Sequence, residues 1–288
     1  MTAMRDQAVA RLQALRHRHP QHFRTLTPHR LAVALSSALL LALLAVGVWR
    51  LQIEPSRLLQ GSERLLHFLT LMVPPDPGSP AVLRLVLKGL LETLAIAFLG
   101  TLLAAIVALP LALLAARNTT IHALLRFMSR RVLDGIRGID ALIWALIWVG
   151  VVGLGPFAGV LAIATSDIGT FGKLFSEALE GADRRPQEGV VAAGGGALAR
   201  IRFGILPQVA PVMAGQVLYL FESNTRSSTI IGIVGAGGIG LHLAEMIRTL
   251  EFQAVSFIIL LILLLVAVID FISGRLRAAM AGTARETA

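Results

Sequence analysis

Long apolar stretches alternate with arginine-rich polar segments along this 288-residue chain. An α-helix needs about 20 apolar residues to cross the hydrocarbon core of a bilayer. The stretches that approach this length are 31–49, 93–116, 141–166, 209–234 and 252–272. The breaker sequence Gly153-Leu154-Gly155-Pro156 interrupts the third stretch, which predicts two helices, 139–153 and 156–176, joined by a tight turn. The pattern therefore predicts an all-α integral membrane protein with six transmembrane helices.

Arginine is concentrated in the segments that this arrangement places on one side of the membrane. These segments are 1–30, 117–138, 177–206 and the chain after residue 272. Because cytoplasmic loops carry an excess of arginine and lysine, we expect a multi-pass protein of the bacterial inner membrane with both termini in the cytoplasm. A cleaved signal peptide is disfavoured, since the first apolar stretch begins late and no small-residue cleavage site follows Trp49.

The same register divides the chain into five parts. We predict a cytoplasmic basic segment at 1–30, a first transmembrane helix at 31–50, a periplasmic segment at 51–88, a core transmembrane domain at 89–275 and a cytoplasmic tail at 276–288. Within the periplasmic segment, residues 56–73 are a candidate amphipathic helix on the membrane surface. Residues 177–207 form the most polar loop of the second half and are predicted to be cytoplasmic.

The amino-acid composition excludes several kinds of functional site. Hydrophobic residues make up 56% of the chain and charged residues 15%, the net charge is +9, and there is no cysteine. Disulfide scaffolds, thiolate metal sites and cysteine nucleophiles are therefore excluded. The basic residues flank apolar stretches, which favours contact with lipid over nucleic-acid binding. The N-terminal histidines have no acidic or thiolate companions, so we expect no metal site; they are His17, His19, His22 and His29.

One cytoplasmic loop carries a spaced motif. It reads Glu188-Gly189-Val190-Val191-Ala192-Ala193-Gly194, then nine residues, then Gly204-Ile205-Leu206-Pro207. Physically, this pattern suits a short helix that lies across the membrane face, turns sharply at a glycine and projects into a groove on a partner, to which it transmits a rigid-body motion. The alternative is an ordinary polar loop that ends in a Leu-Pro helix start.

This loop resembles the EAA coupling loop of ABC importer permeases. Four positions match that motif in register, whereas Gly189 and Val190 replace its two alanines and Gly204 replaces its isoleucine; the matching positions are Glu188, Gly194, Leu206 and Pro207. The segments 137–146, 152–159, 172–178 and 232–240 look like the permeases of phosphonate importers, a group that includes relatives carrying phosphite or hypophosphite. The resemblance covers roughly residues 85–275.

This resemblance implies the type I importer fold and a set of partners. These are two ATPase subunits, a periplasmic binding protein and a second permease, which is either another copy of this chain or a paralogue. The loop would contact the ATPase through Glu188, Gly194, Arg200, Leu206 and Pro207. The chain has no G-x-x-x-x-G-K-[ST] motif, so it is not expected to be an enzyme, and ATP and magnesium are expected on the partner ATPase.

A second glycine motif has a different interpretation. Gly235, Gly237 and Gly240 spell G-x-G-x-x-G, but the motif lies between two predicted membrane spans. A dinucleotide-binding fold would place it between a strand and a helix of a soluble domain. We therefore expect these glycines to permit close helix approach and an irregular backbone that lines a cavity.

The fifth predicted span contains a polar cluster. Ionisable groups at membrane depth are costly and usually face a bundle interior or a water-filled pathway. We predict a substrate pathway lined by Glu222, Asn224, Arg226, Ser227, Ser228 and Thr229. Arg226 offers forked donors that suit a phosphorus oxyanion. The alternative, which is compatible with the first, is that Arg226 pairs with Glu222 one helical turn away and holds the bundle together.

Two other acidic residues lie near predicted spans. Asp167 is a candidate partner of Arg226, and Asp270 is expected near Arg275 and Arg277 at the cytoplasmic end. Two further functions remain open: a permease of the same fold for another small anion or metabolite, and an ion-coupled secondary transporter, which would typically show paired repeats and would need no ATPase. The sequence alone does not distinguish phosphonate from phosphite or hypophosphite.

Overall fold

The computed structural model describes residues 28–52, 55–120 and 122–286, and every regular element within these ranges is helical. This confirms the prediction of an all-α protein. The chain divides into two compact units, Met1–His67 and Phe68–Ala288. The first unit contains helix α1 (Pro28–Arg50) and most of helix α2 (Pro55–Leu71). The leucines of α1 are exposed, as is usual for a helix surrounded by lipid.

The second unit contains nine further helices and one π-helical turn among its described residues. In chain order they are α3 (Pro80–Ala115), α4 (Ala123–Arg137), α5 (Ala141–Val152), α6 (Pro156–Glu180), α7 (Arg184–Ala192), the single turn α8 (Ala197–Ala199), the π-helical turn Arg200–Ile205, α9 (Leu206–Ile233), α10 (Ile239–Arg248) and α11 (Phe252–Glu286).

Helix α3 begins well before the apolar stretch that predicts it. The Ser79 hydroxyl accepts a hydrogen bond from the Val82 N–H, and Pro80 occupies the first helical turn, where its missing N–H costs nothing. The charged residues Arg84, Lys88 and Glu92 are therefore carried on the helix. The apolar stretch at 93–116 marks where charge ends, not where the helix begins.

The break in the third apolar stretch lies where the glycines predict it. Helix α5 ends at Val152 and α6 begins at Pro156, with Gly153 and Gly155 at φ of +90° and +139°, backbone conformations that favour glycine. Helix α5 has only 12 residues and meets α4 at 86°. A helix of that length rises about 18 Å, which is less than the thickness of a bilayer core.

Judged by length and composition, fewer helices can cross a membrane than the sequence pattern predicts. Four described helices are long and apolar enough to cross a membrane, and a fifth is added if α4 and α5 count as one broken span. Helix α6 has 25 residues but falls outside this group, because polar residues such as Asp167 and Lys173 are interspersed among its apolar ones. Six spans therefore remain a prediction.

Small residues let the helices of the second unit pack closely around α6. A Cβ atom at Gly100 of α3 would lie 2.8 Å from the Ile163 side chain, and one at Gly172 would lie 2.4 Å from Leu133 of α4. Near the end of α6, Phe171, Phe175 and Leu179 form a buried cluster with the alanine face of α3 and the start of α9. Close approach of this kind is how membrane helices gain van der Waals contact. This close packing fixes the relative positions of α3, α4, α6 and α9, which carry the polar residues of the candidate sites.

Candidate functional site

Helix α7 forms the first half of the predicted coupling loop. The Asp183 carboxylate caps its start by accepting a hydrogen bond from the Arg185 N–H at 3.2 Å. At its end, the N–H groups of Gly194 and Gly195 donate to the carbonyls of Val191 and Val190, both at 2.9 Å. With Gly194 at φ +83°, this is a Schellman motif. Gly194 therefore reverses the chain direction here, as its place in the motif predicts.

The second half of the loop returns against α7 through the π-helical turn. A Cβ atom at Gly204 would lie 3.0 Å from the Cα of Gln187, so a glycine lets the two backbones meet. The Gln208 side chain fastens the contact, since its amide group donates to the Asp183 and Gly204 carbonyls and its oxygen accepts from the Asp183 N–H at 2.9 Å. Leu206 and Pro207 begin α9. The sequence analysis did not predict the roles of Gln187 and Gln208 in this contact. Gly204, which replaces the isoleucine of the motif, was the one sign in the sequence that two backbones meet here.

Arg200 connects this loop to the rest of the bundle. Its Nη2 donates to the Asn118 carbonyl at 2.9 Å, and the Asn118 amide group donates to the Leu179 carbonyl at the end of α6. Next to it, the Glu180 carboxylate accepts a hydrogen bond from the Arg117 N–H at 2.7 Å and one from Arg130 Nη2 at 2.6 Å. The end of α3 is thereby tied to α4, α6 and the coupling loop. None of these partners other than Arg200 was predicted.

A cavity of about 680 Å³ lies between α7, the turn at Arg200 and the segment after α3. Glu188 is exposed on its wall, as a residue that contacts a partner must be. The other charged residues that line it are Arg117, Arg184 and Arg200.

The predicted pathway residues separate onto two faces of α9. Arg226 is exposed, and Glu222 and Ser227 are half-buried beside it. Asn224 and Ser228 are buried on the opposite face, whereas Thr229, which is also buried, lies seven residues after Glu222 and therefore on the same side of the helix as Glu222. Successive residues of a helix are rotated by about 100°, so residues two apart cannot face the same way. The structure therefore does not bring all six predicted residues to one face of the helix.

Arg226 lies within a charge-balanced network between α9 and α11. Its Nη2 is 3.8 Å from Glu222 Oε1 and its Nη1 is 3.4 Å from Asp270 Oδ1, while Arg277 Nη1 is 2.8 Å from Glu222 Oε2. The expected pairing with Glu222 is present. Asp270 lies against Arg226 instead of serving the expected end cap near Arg275 and Arg277, because α9 and α11 pack side by side at this level.

Asp167 has a different partner from the one expected. The Asn224 amide group donates both to Thr101 Oγ1, at 2.8 Å, and to Asp167 Oδ2, and all three residues are buried. The cluster joins α3, α6 and α9. Asp167 therefore does not pair with Arg226, which lies on the other face of α9.

The glycine motif at 235–240 is a packing device. A Cβ atom at Gly240 would lie 1.9 Å from the Thr229 carbonyl oxygen, and one at Gly237, which has φ +82°, would lie 2.6 Å from the Pro156 nitrogen. The motif connects α9 to α10 and follows no strand, which agrees with close helix approach.

Within the described ranges no cluster of histidine, cysteine, aspartate and glutamate could hold a metal ion. Three of the four N-terminal histidines, and the side chain of His29, lie outside the described residues.

Residues 108–282 match the family described as binding-protein-dependent transport system inner membrane component. The chain belongs to this family of membrane permeases. Its relatives include the "Putative phosphite transport system permease protein HtxC" of Stutzerimonas stutzeri, 43% identical over 87% of this chain and 88% of that protein. The phosphite transport system permease protein PtxC of the same organism is 37% identical over 78% of this chain and 81% of that protein.

The fold has counterparts among solved structures. An inward-facing structure of the MetNI methionine ABC transporter aligns with a TM-score of 0.62 at 21% identity, over 70% of this chain and 99% of that one. This confirms the ABC importer permease fold, and the relatives confirm the resemblance to phosphonate and phosphite permeases. Family members are transport permease subunits of the inner membrane and are not themselves catalytic; membership implies ATPase and binding-protein partners and a paired permease.

Proposed function

We propose that this chain is the permease through which an ATP-driven importer moves phosphite, hypophosphite or a phosphonate across the inner membrane. The observation that carries the proposal is the 43% identity, over 87% of the chain, to a protein named for phosphite transport. A further relative, 36% identical over 81% of this chain and 43% of its own length, is named the phosphate-import permease protein PhnE of Mycolicibacterium smegmatis. The substrates named for these relatives share a phosphorus oxyanion.

Coupling to ATP hydrolysis is assigned to residues 177–207. The ATPase partner, which holds ATP and magnesium, contacts Glu188 and moves α7. The Gly194 turn and the Gly204–Gln187 contact make α7 and the start of α9 one rigid piece. Arg200 passes the motion on to α3 and α6 through Asn118. A packed element of this kind moves as a body, which is what transmission of a conformational change requires.

The substrate pathway is assigned to the exposed face of α9, with Arg226, Glu222 and Ser227 on its wall. Arg226 has two forked donor edges and about half of its side chain is exposed, so an oxyanion can reach it while Asp270 and Glu222 hold it in place. These carboxylates also weaken anion binding, which suits a site that must release its cargo. The buried residues Asn224, Ser228 and Thr229 support this wall.

The assembly follows from the same assignment. Two permeases, two ATPases and a periplasmic binding protein form the importer, with residues 1–30 and 276–288 in the cytoplasm and residues 51–88 outside. The second permease is a further copy of this chain or a paralogue. The pathway then lies between the two permeases.

Reconstitution tests the proposal. The chain is coexpressed with its cognate ATPase and incorporated into liposomes containing ATP, and the cognate binding protein is added outside with phosphite, hypophosphite, methylphosphonate, phosphate or methionine. ATP-dependent uptake of at least one of the first three, in preference to phosphate and methionine, is expected. Preferred uptake of methionine or another substrate without phosphorus would refute the substrate assignment. Uptake that needs an ion gradient and no ATPase would refute the importer class.

A further inference from the structure

The 680 Å³ cavity beside the coupling helix has a strongly unbalanced lining. Three arginines and one glutamate supply its charge: Arg117, Arg184, Arg200 and Glu188. Each arginine comes from a different element, namely the segment after α3, the start of α7 and the π-helical turn. The folding of the chain therefore assembles a cationic site that no single stretch of sequence displays.

The positive charge of this site is only partly neutralised within the described part of the chain, since Glu188 is the one acidic residue among three arginines in the lining. Arg117 Nε is 4.0 Å from Glu180 Oε1, but that oxygen is 2.6 Å from Arg130 Nη2, so one carboxylate serves two arginines. The Arg200 Nη2 donates to a neutral carbonyl, and its buried Nε has no hydrogen-bond partner in the described structure. A buried donor without an acceptor is costly, and a carboxylate is the strongest acceptor available to a guanidinium.

The position and size of the cavity identify the kind of ligand. Its volume falls in the range of about 300–1,000 Å³ that binding pockets span, which leaves room for a side chain and part of the segment that carries it. It opens beside Glu188, on the loop assigned to the ATPase. We propose that the cavity receives an acidic side chain of the ATPase subunit, which binds the guanidinium groups of Arg184, Arg117 and Arg200. This proposal rests on the proposed function and names a contact within it.

Such a contact would do more than hold the two subunits together. Arg200 is fixed to the Asn118 carbonyl, and Asn118 is fixed to the end of α6. A carboxylate bound to Arg200 therefore transmits force directly to the junction of α3 and α6. The surface of α7, which also contacts the ATPase, transmits force to the coupling loop. The ATPase thus binds the permease at two places, the surface of α7 and the Arg200 turn. Two contacts let it drive both the forward and the return movement of the permease helices.

Two adjacent arginines provide a matched test. Arg184 lines the cavity and its neighbour Arg185 does not, although both are exposed in the first turn of α7. The full chain, tagged, is coexpressed with its cognate ATPase, and the amount of ATPase retained per permease is measured after purification. Charge reversal by Arg184→Glu is expected to weaken retention about tenfold, because like charges at an interface repel, while Arg185→Glu changes it by less than about twofold.

The outcomes distinguish a failure of the proposed function from a failure of the cavity contact. If the unaltered chain retains no ATPase, the proposed function fails, and this inference fails with it. If the unaltered chain retains the ATPase and the two variants behave alike, the proposed function stands and the cavity contact is refuted. In a complementary test, one acidic surface residue of the ATPase is changed to arginine. The Arg184→Glu permease is expected to retain this ATPase variant at the normal level, whereas the unaltered permease is not expected to retain it better than the unaltered ATPase. Failure of every such acidic-to-arginine variant to restore it would overturn the pairing.

Discussion

The backbone of Gln187 lies so close to Gly204 that a Cβ atom added at position 204 would stand 3.0 Å from the Gln187 Cα. Gly204→Ala must push the π-helical turn away from α7 and is expected to cost about 1–3 kcal/mol of packing. Because this contact makes the two halves of the coupling loop rigid, we expect import to fall several-fold while the amount of protein in the membrane stays the same.

Gly196→Ala is the control for that change. Gly196 lies in the same loop at φ −73°, and a Cβ atom there would meet nothing within 4 Å. Initial rates of ATP-driven uptake are compared for the two variants at equal membrane content. Equal rates would mean that the close contact at Gly204 has no part in coupling.

Gly194 tests the turn by conformation alone. A Cβ atom at this position would also meet nothing within 4 Å, so any effect of substitution comes from its φ of +83°. Left-handed backbone costs an ordinary L-residue about 1–2 kcal/mol, asparagine tolerates it, and a β-branched residue does not. We therefore expect Gly194→Val to import less substrate per ATP hydrolysed and Gly194→Asn to stay close to the unaltered chain. Full coupling by the valine variant would refute the role of the turn.

The Asn224 amide group joins Thr101 and Asp167 in the interior of the bundle. Asn224→Ala leaves the buried Asp167 carboxyl without this donor, which costs about 1–3 kcal/mol. Asp167→Asn is milder, since the new side-chain oxygen still accepts from Asn224. Thermal unfolding in detergent is expected to show a lower midpoint for Asn224→Ala than for Asp167→Asn or for the half-buried control Ser223→Ala. Equal midpoints would mean that the cluster adds nothing to stability.

Arg226 is tested together with Asp270, which lies 3.4 Å from it. Arg226→Ala is expected to abolish uptake while ATPase association persists, and Arg275→Ala, an arginine that stacks on Phe271, is the control. The double variant Arg226→Ala/Asp270→Ala removes both charges of the pair. If Arg226 serves the substrate, the double variant stays inactive. Recovered uptake would show that Arg226 only balances Asp270.

Local chemistry made part of this structure predictable. The Gly153–Gly155 break and the turn at Gly194 were found because a positive φ favours glycine, and glycine is visible in a sequence. The start of α3 was missed because Ser79 and Pro80 set it, not the end of the charged residues. The partner of Asp167 was also mispredicted: Asn224 faces Asp167, and the rotation between residues 224 and 226 then turns Arg226 away from it.

Long-range contacts were not predictable in the same way. The Arg200–Asn118 hydrogen bond spans 82 positions, and the Asp167–Asn224 bond spans 57. A single sequence gives the residue types at both ends but not the packing that brings them together. The cationic cavity depends on three such elements.

Site-directed cross-linking tests the central claim, that residues 177–207 face the ATPase, most directly. The chain has no cysteine, so a single introduced cysteine carries a thiol-reactive photoprobe without background. Leu198→Cys places the probe on the highly exposed α8. Ile247→Cys places it on α10, which connects α9 to α11 at the end of α9 far from the coupling loop and is therefore outside in the proposed topology. Irradiation of the purified complex is expected to attach the ATPase to the first variant and not to the second. Attachment to the second and not to the first would contradict the account.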